Sequence, residues 1–290
     1  MSDIGSSPPP APPSLRAVEG PSALGGGRRR FFDLLWLMAL TEFKRVYFGT
    51  VLGYLWSLLR PLMFFGVLLF VFTQVFKVGS NHVEHYAVLL LMGIVMFTFF
   101  QEASTNSVTS VAAQEGVVRK TQFPRLVIPI STVLTALFNF GLNLVIVLVF
   151  LLAFGVSPDW TWLLFPVLVL ALFIFTAAVS TSLAMLYVRF RDVAIIWTVA
   201  AQMLFYATPI LYPIDFKENA TFEHILMINP LSVIVVQARV WVLDEPGAPT
   251  AVDAAGGWLG LLPALAVLLV IVGFATWYFN REAPRVAEDL

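Results

Sequence analysis

The chain has 290 residues, of which 59% are hydrophobic and only 12% are charged, and its formal net charge is −1. Soluble domains are about 25% charged, so this composition excludes an ordinary water-soluble protein and indicates an integral membrane protein. Because the sequence contains no cysteine, disulfides, thiolate nucleophiles and cysteine-ligated metals are excluded as well.

The sequence divides into a tail, a membrane domain and a short C-terminus. Residues 1–27 are rich in Ser, Pro, Ala and Gly and have no apolar core, which predicts a disordered tail rather than a signal peptide. Residues 28–283 form the predicted membrane domain, and residues 284–290 follow it.

Residues 29–47 predict an amphipathic helix. Glu42, Lys44 and Arg45 would be costly inside lipid, and the apolar residues fall on the other side of the helix, so we expect it to lie in the membrane surface. The alternative is that this segment simply begins the first span. The candidate interface residues are Arg29, Arg30, Trp36, Lys44 and Arg45.

Six later stretches are long and apolar enough to cross a bilayer, which takes roughly 17–25 residues per helix. The apolar runs are continuous rather than alternating, which favours helices over barrel strands. We therefore predict an all-α integral membrane protein with six transmembrane helices and, in residues 212–258, two shorter re-entrant or interfacial helices that form an outer gate. The predicted spans are 51–76, 86–104, 128–156, 160–188, 193–211 and 259–279.

The distribution of basic residues predicts the orientation. With the N-terminus in the cytoplasm, most of the 17 Lys and Arg residues fall on the cytoplasmic side. Only Lys77, Lys217 and Arg239 fall outside, and Arg60 lies within the first span. This asymmetry follows the positive-inside rule and also predicts a cytoplasmic C-terminus.

Several kinds of chemistry lack the residues that they need. No lysine follows a glycine, so the sequence has no P-loop for ATP. His82 and His85 form an H-x-x-H pair with Glu84 as the only nearby ligand, which favours solvated histidines over a metal site. Glu102 and Asp192 are almost the only carboxylates near a span, which disfavours an ion-driven carrier. We expect no catalytic residue, metal or cofactor on this chain.

Four motifs follow one another along the chain. They are Gly53-x-x-Trp56-x-x-Leu59-x-Pro61, Phe123-Pro124-Arg125, Phe190-Arg191-Asp192, and the group Pro209, Tyr212, Pro213, Asn229 and Pro230. In order and spacing they resemble those of the type-2 ABC exporter permeases that move lipid-linked polysaccharides such as O-antigen, capsule, teichoic acid and galactan. The resemblance covers about residues 28–283.

The resemblance implies a homodimer that binds two copies of a separate P-loop ATPase subunit. ATP and Mg²⁺ would be bound on that partner, and the substrate would be a polyprenyl- or lipid-linked glycan, with no nucleic acid involved. It also implies that the first and fifth spans line the path, where aromatic rings could stack on sugars; lipid-facing aromatic residues are the alternative. The candidate lining residues are Tyr54, Arg60, Phe65, Phe72, Phe76, Trp197, Phe205 and Tyr206, and the candidate outer-gate residues are Tyr212, Pro213, Asn229 and Pro230.

The basic turn between the second and third spans is interpreted as a coupling helix that docks on the ATPase, with Phe123-Pro124 as a stiff joint because proline biases the preceding residue away from helix. A plain topology anchor is the alternative, both here and for a second cytoplasmic contact at Arg189, Arg191 and Asp192. The candidate coupling residues are Gln114, Glu115, Gly116, Val117, Val118, Arg119, Lys120, Phe123 and Pro124.

Three other functions remain open from the sequence. A type-2 exporter of small molecules or lipids would share most of the topology. A membrane enzyme acting on lipid-linked sugars would use outer carboxylates such as Asp215, Glu218 or Glu223. A passive channel or scaffold would need no ATPase partner.

Overall fold

The computed structural model shows helices and connecting turns, with no strand in the part of the chain that it describes. The described residues are 27–47, 53, 55–75, 85–116, 124–212, 214, 220–243 and 248–282.

Eleven α-helices lie within the described ranges. In chain order they are α1 (Gly27–Tyr47), α2 (Leu55–Phe70), α3 (Tyr86–Val108), α4 (Ser110–Ala113), α5 (Val127–Ala153), α6 (Phe165–Arg189), α7 (Val193–Ala207), α8 (Ala220–Leu226), α9 (Pro230–Leu243), α10 (Ala251–Ala254) and α11 (Leu262–Glu282). A π-helical turn extends α2 to Val75, and 3₁₀ turns precede α6 and α11.

Five helical segments in the described part are long and apolar enough to cross a membrane. The remaining predicted span contains α7, which has only 15 residues. The count of six spans therefore stays a prediction. The five segments are Leu55–Val75, Tyr86–Val108, Val127–Ala153, Trp160–Arg189 and Trp258–Arg281.

Helix α3 is the centre of the bundle and is buried on nearly every side. It contacts α2, α5, α6, α7 and α9. Its apolar residues lie on all sides of the helix, as expected for a helix that neighbours surround. Helices α2 and α11 lie at the periphery and expose most of their apolar side chains. Such surfaces suit lipid or a partner subunit.

The bundle has a basic end and an opposite end. At the basic end, a small cluster of buried residues around Val111, Ile128 and Met185 packs against Tyr278 and Phe279. This brings the starts or ends of α4, α5, α6 and α11 together. Arg125, Arg189 and Arg281 lie at those helix ends. At the opposite end, the indole N–H of Trp162 donates a 3.0 Å hydrogen bond to the carbonyl of Val242.

Helix α1 packs along α5. Leu35 and Ala39 are buried, and Thr135 of α5 donates to the Ala39 carbonyl at 3.2 Å. The ring of Phe138 makes edge contacts with Trp36 and Phe43, at centroid distances of 5.4 and 5.6 Å. Its place in the membrane surface stays a prediction.

Pro61 interrupts the hydrogen bonding of α2, and α5 compensates. Proline has no N–H, so it cannot donate to the carbonyl four residues earlier, which belongs to Ser57. The side-chain amide of Asn143 donates to that carbonyl at 3.2 Å. Membrane helices tolerate proline when a neighbouring helix satisfies the freed group, and Asn143 has this function here.

Candidate functional site

A polar cavity of about 890 Å³ lies among the described membrane helices at the basic end. Helix α1 covers it, α3, α4 and α5 form its walls, and α7 borders it. Most of its lining side chains are polar. They are Thr41, Glu42, Arg45, Glu102, Thr105, Asn106, Thr109, Ser110, Gln114, Ser131, Thr132, Thr135, Asn139 and Thr198.

Glu102 and Asn139 form the polar centre of this cavity. The amide of Asn139, on α5, donates a hydrogen bond to the carboxylate of Glu102, on α3. Asn139 is almost fully buried, and its backbone carbonyl accepts from the Asn143 amide at 2.9 Å. Arg60 of α2 also interacts electrostatically with Glu102. A polar network therefore runs from the cavity to α2.

The described lining residues have an excess of negative charge. Arg45 is bonded to Glu42 at 2.7 Å, so these two charges offset each other. Glu102 is the remaining charged residue of the described lining. Neutral hydrogen-bonding groups, mainly hydroxyls and amides, make up the rest of the polar surface.

Aromatic rings connect α3 to α7 beside the cavity. The indole N–H of Trp197 donates to the hydroxyl of Ser104 at 3.1 Å, and its ring contacts that of Phe100. Phe205 packs edge-on against Phe97 at 5.2 Å and also contacts Phe64 of α2. These contacts fix α7 against the middle of the bundle.

The residues predicted to line the path differ in whether the structure buries or exposes them. Phe65 is buried and packs against Phe150 of α5 at 5.7 Å, so in this conformation it faces the inside of the chain. Phe72 and Trp197 are half-buried and Phe205 is buried. Arg60 and Tyr206 are exposed. Tyr54 and Phe76 lie outside the described residues.

At the opposite end, the segment after α7 is held in place by side chains from α3 and α9. Arg239, which is only 7% exposed, donates to the carbonyl of Ile210 at 2.9 Å and to that of Tyr212 at 3.2 Å. The hydroxyl of Tyr86 donates to the Leu211 carbonyl between them at 2.8 Å. Three consecutive backbone carbonyls therefore have donors. We call Arg239, Tyr86 and residues 208–212 the outer clasp, because the predicted orientation puts this end outside the cell.

Asn229 extends this arrangement to the start of α9. Its amide donates to the Thr208 hydroxyl at 3.1 Å, and its side-chain oxygen accepts from the Leu231 N–H at 3.1 Å. Tyr212 donates through its hydroxyl to the Tyr206 carbonyl at 3.3 Å. Pro230 is buried, and Pro213 lies outside the described residues. Of the predicted outer-gate residues, Asn229 bonds to the segment that follows α7, and Tyr212, which lies in that segment, bonds back to α7.

The predicted ATPase contacts are only partly described. Gln114 lines the cavity, Gly116 is exposed, and the carbonyl of Pro124 accepts from Val127 at the start of α5. At the second contact, Arg189, Arg191 and Asp192 are exposed at the basic end, with the Arg189 guanidinium 5.7 Å from the centre of the Phe190 ring. Val117, Val118, Arg119, Lys120 and Phe123 lie outside the described residues, and Glu115 is half-buried.

The sequence interpretation missed three important residues. Asn139 and Asn143 occur four residues apart in an apolar span, a spacing that puts both on one helix face and indicates an inward-facing polar pair. The sequence places Arg239 in an outer segment, whereas the structure buries it against backbone carbonyls. An arginine inside an apolar run of ten or more residues is the signal that could have identified it.

Residues 33–242 match the ABC-2 type transporter family. This chain belongs to that family. Two O-antigen export system permease proteins RfbA of Klebsiella pneumoniae are each 31% identical to it over 260 residues, covering 89% of this chain and 95% of each relative. The protein of the same name from Myxococcus xanthus is 29% identical over 262 residues, covering 90% of this chain and 96% of the relative.

Family membership confirms the resemblance inferred from the four motifs. It makes this chain the multi-pass membrane permease of an ABC-2 type transporter rather than an enzyme acting on lipid-linked sugars. The polar cavity, the aromatic contacts of α7 and the outer clasp are thus features of a transport protein.

Proposed function

We propose that this chain is the permease subunit of an ATP-driven exporter that moves a lipid-linked polysaccharide across the cytoplasmic membrane. The observation that carries the proposal is the polar cavity of about 890 Å³ among the membrane helices, since a passage for sugars needs hydrogen-bonding walls at that depth. The names of the relatives, which are O-antigen export permeases, support the same substrate class.

The exporter has six spans per chain, with its termini and basic end in the cytoplasm. Helix α7 alone is about 22 Å long at 1.5 Å per residue, short of the roughly 30 Å of hydrocarbon. Irregular backbone is tolerated at membrane depth only where protein satisfies its polar groups. Arg239 and Tyr86 donate hydrogen bonds to the backbone carbonyls of residues 210–212 and so satisfy their polar groups. Helix α7 and the outer clasp therefore form the fifth span together.

Two copies of the chain and two P-loop ATPase subunits complete the transporter. The exposed faces of α2 and α7 contain polar groups, including Arg60, Thr198 and Gln202, which suit a water-filled path between copies better than lipid. The basic turn after α4 and the exposed residues after α6 dock on the ATPase, while residues 212–258 close the outer side.

Affinity purification of the full chain in mild detergent tests this assembly. We expect a P-loop ATPase subunit to co-purify, and deletion of the gene for the chain to abolish surface display of the glycan while the glycan accumulates inside the cell. If no ATPase co-purifies and an added one forms no complex, the exporter proposal is wrong. Continued surface display after deletion would also contradict it.

The same deletion strain distinguishes a polysaccharide exporter from an exporter of small molecules or lipids. That alternative predicts normal glycan display together with sensitivity to, or retention of, an apolar compound. A passive channel predicts transport that continues without ATP.

A further inference from the structure

We propose that the polar cavity beneath α1 binds neutral sugar units of the exported glycan, with Glu102 and Asn139 as the polar centre of the site. This inference rests on the proposed function and makes it more specific, because it assigns one part of the substrate to one place in a single chain.

The lining has the chemistry of a sugar site. Hydroxyl and amide side chains both donate and accept hydrogen bonds, as sugar hydroxyls do. They approach from three directions, from Thr105 and Asn106 on α3, from Thr132 on α5 and from Thr198 on α7. The volume of about 890 Å³ lies within the roughly 300–1,000 Å³ typical of ligand pockets.

The charge of the cavity disfavours the phosphate groups that link a glycan to its lipid. A bound phosphate would lie near the carboxylate of Glu102, and like charges repel. Arg60 of α2 also interacts with this carboxylate, but it does not line the cavity. Arg45, the cation of the described lining, is already bonded to Glu42 at 2.7 Å. A neutral sugar has no such penalty, and the carboxylate makes a strong charge-assisted acceptor for its hydroxyls.

The position of Glu102 also suits this assignment. Asn139 donates to one oxygen of the carboxylate and so orients the group. A carboxylate has about four acceptor positions on two oxygens, so capacity remains for sugar hydroxyls on the cavity side. Because α7 borders the same cavity through Ala194 and Thr198, a bound sugar would contact a helix of the proposed path.

A cysteine-protection experiment tests the site whatever the identity of the glycan. The chain has no cysteine, so Thr105→Cys introduces a single thiol into the cavity, and Thr198→Cys introduces one into the facing wall. Lys44→Cys is the matched control, since Lys44 is exposed on α1 and does not line the cavity. Each variant is expressed with its ATPase partner, and the rate of labelling by N-ethylmaleimide is measured in cells that make the glycan and in cells whose glycan synthesis is blocked.

We expect glycan synthesis to slow labelling at Thr105→Cys and Thr198→Cys, by about twofold if the site is half occupied, and to leave labelling at Lys44→Cys unchanged. Equal rates in both kinds of cell at both cavity positions would overturn the sugar site. Surface display of the glycan, scored in the same cells, tests the exporter function separately, so the two failures are distinguishable.

The variant Glu102→Gln tests whether the occupant of the cavity is a neutral sugar or a phosphate. Glutamine has the same shape as glutamate and keeps the side-chain oxygen that accepts from Asn139, so we expect the fold to be preserved. Labelling at Lys44→Cys verifies that the variant chain is inserted in the membrane. A sugar site predicts weaker protection of Thr105→Cys, because a neutral amide is a poorer acceptor. Stronger protection would indicate a phosphate in the cavity, and unchanged protection would show that Glu102 does not contact the occupant; either result overturns the proposal.

Discussion

Two charged residues inside the bundle, the half-buried Glu102 and the buried Arg239, have opposite surroundings. At the basic end, Glu102 borders a cavity of about 890 Å³ and has one amide donor from Asn139. At the opposite end, Arg239 is packed against backbone and donates to two carbonyls within 3.2 Å. Glu102 has space for a ligand beside it, whereas the hydrogen bonds of Arg239 go to the backbone of the chain itself.

The difference shows how one bundle can be open to polar solutes at one end and closed at the other. A charge beside open space keeps unused hydrogen-bonding capacity, which suits transient binding. A charge surrounded by fixed carbonyls makes backbone irregularity stable at membrane depth, which suits a closed end. Substitutions at the outer clasp should therefore affect stability, and those at the cavity should affect transport.

The largest effect is expected for Arg239→Leu. The carbonyls of Ile210 and Tyr212 would lose their donors, and each buried unpaired group costs about 1–3 kcal/mol, so we expect a loss of about 3 kcal/mol or more in stability. Thermal unfolding of the detergent-purified chain should show a clearly lower midpoint. Lys44→Leu, which also removes a cation but at an exposed position, is the control. Equal midpoints for the two variants would show that the outer clasp contributes little.

A second test crowds the outer clasp rather than removing its donor. A Cβ atom on Gly93 would lie 3.2 Å from Ile210 Cγ2 and 3.4 Å from a terminal guanidinium nitrogen of Arg239. Gly93→Leu should therefore displace the clasp and destabilise the chain by about 1–3 kcal/mol. Gly141→Leu is the matched control, because no heavy atom lies within 4 Å of its added Cβ. The prediction is wrong if both variants unfold at the same temperature.

A third, smaller effect tests whether the cavity network extends to α2. Asn143→Leu removes the donor to the Ser57 carbonyl, and we expect a loss of about 1 kcal/mol. In a Pro61→Ala background the alanine N–H can donate to that carbonyl, so the same substitution should cost less. A double-mutant cycle on the unfolding midpoints measures the difference. Strict additivity would mean that Asn143 does not compensate for Pro61.

The smallest effect is expected at an exposed cap near the opposite end. The Thr250 hydroxyl and N–H donate to the Asp253 carboxylate at 2.7 and 3.0 Å, which lowers the pKa of Asp253. A lowered folded pKa means that this interaction stabilises the chain above the ordinary carboxyl pKa and is lost as the pH falls through the folded value. The unfolding midpoints of the wild type and Asp253→Asn should therefore differ slightly at about pH 6 and converge as the pH falls below the ordinary carboxyl pKa of about 3.9. A constant difference across this range would contradict the assignment.

Much of the helical architecture could be predicted because it depends on local composition. Continuous apolar runs determine where helices long enough for a membrane occur, and proline marks their starts, as before α5 and within the first turn of α6. The fifth predicted span is the exception, for a physical reason. Its apolar run continues past Ala207, but the helix ends there because Pro209 disfavours a helical conformation at Thr208. Donors from Arg239 and Tyr86 then bind the non-helical backbone that follows.

The candidate site could be predicted only in outline. The aromatic residues of the first span share one helix side, yet no local rule tells whether that side faces a path or a neighbouring helix. In the structure, Phe65 packs against Phe150, and the exposed surface of α2 instead includes Arg60 and Phe64. A helix that is apolar all round has no hydrophobic face from which its orientation could be deduced.

The sequence alone determined that this is a helical membrane protein, which family it resembles and where its basic residues concentrate, since these depend on composition and on motifs within short segments. The tertiary structure decided which polar groups meet: Asn139 with Glu102, Asn143 with the Ser57 carbonyl, and Arg239 with the end of the α7 segment. The partners in each pair are separated by 37, 86 and 29 residues respectively. Their pairing depends on how whole helices pack, because in a membrane each buried polar group is stabilised only by the neighbour that packing brings to it.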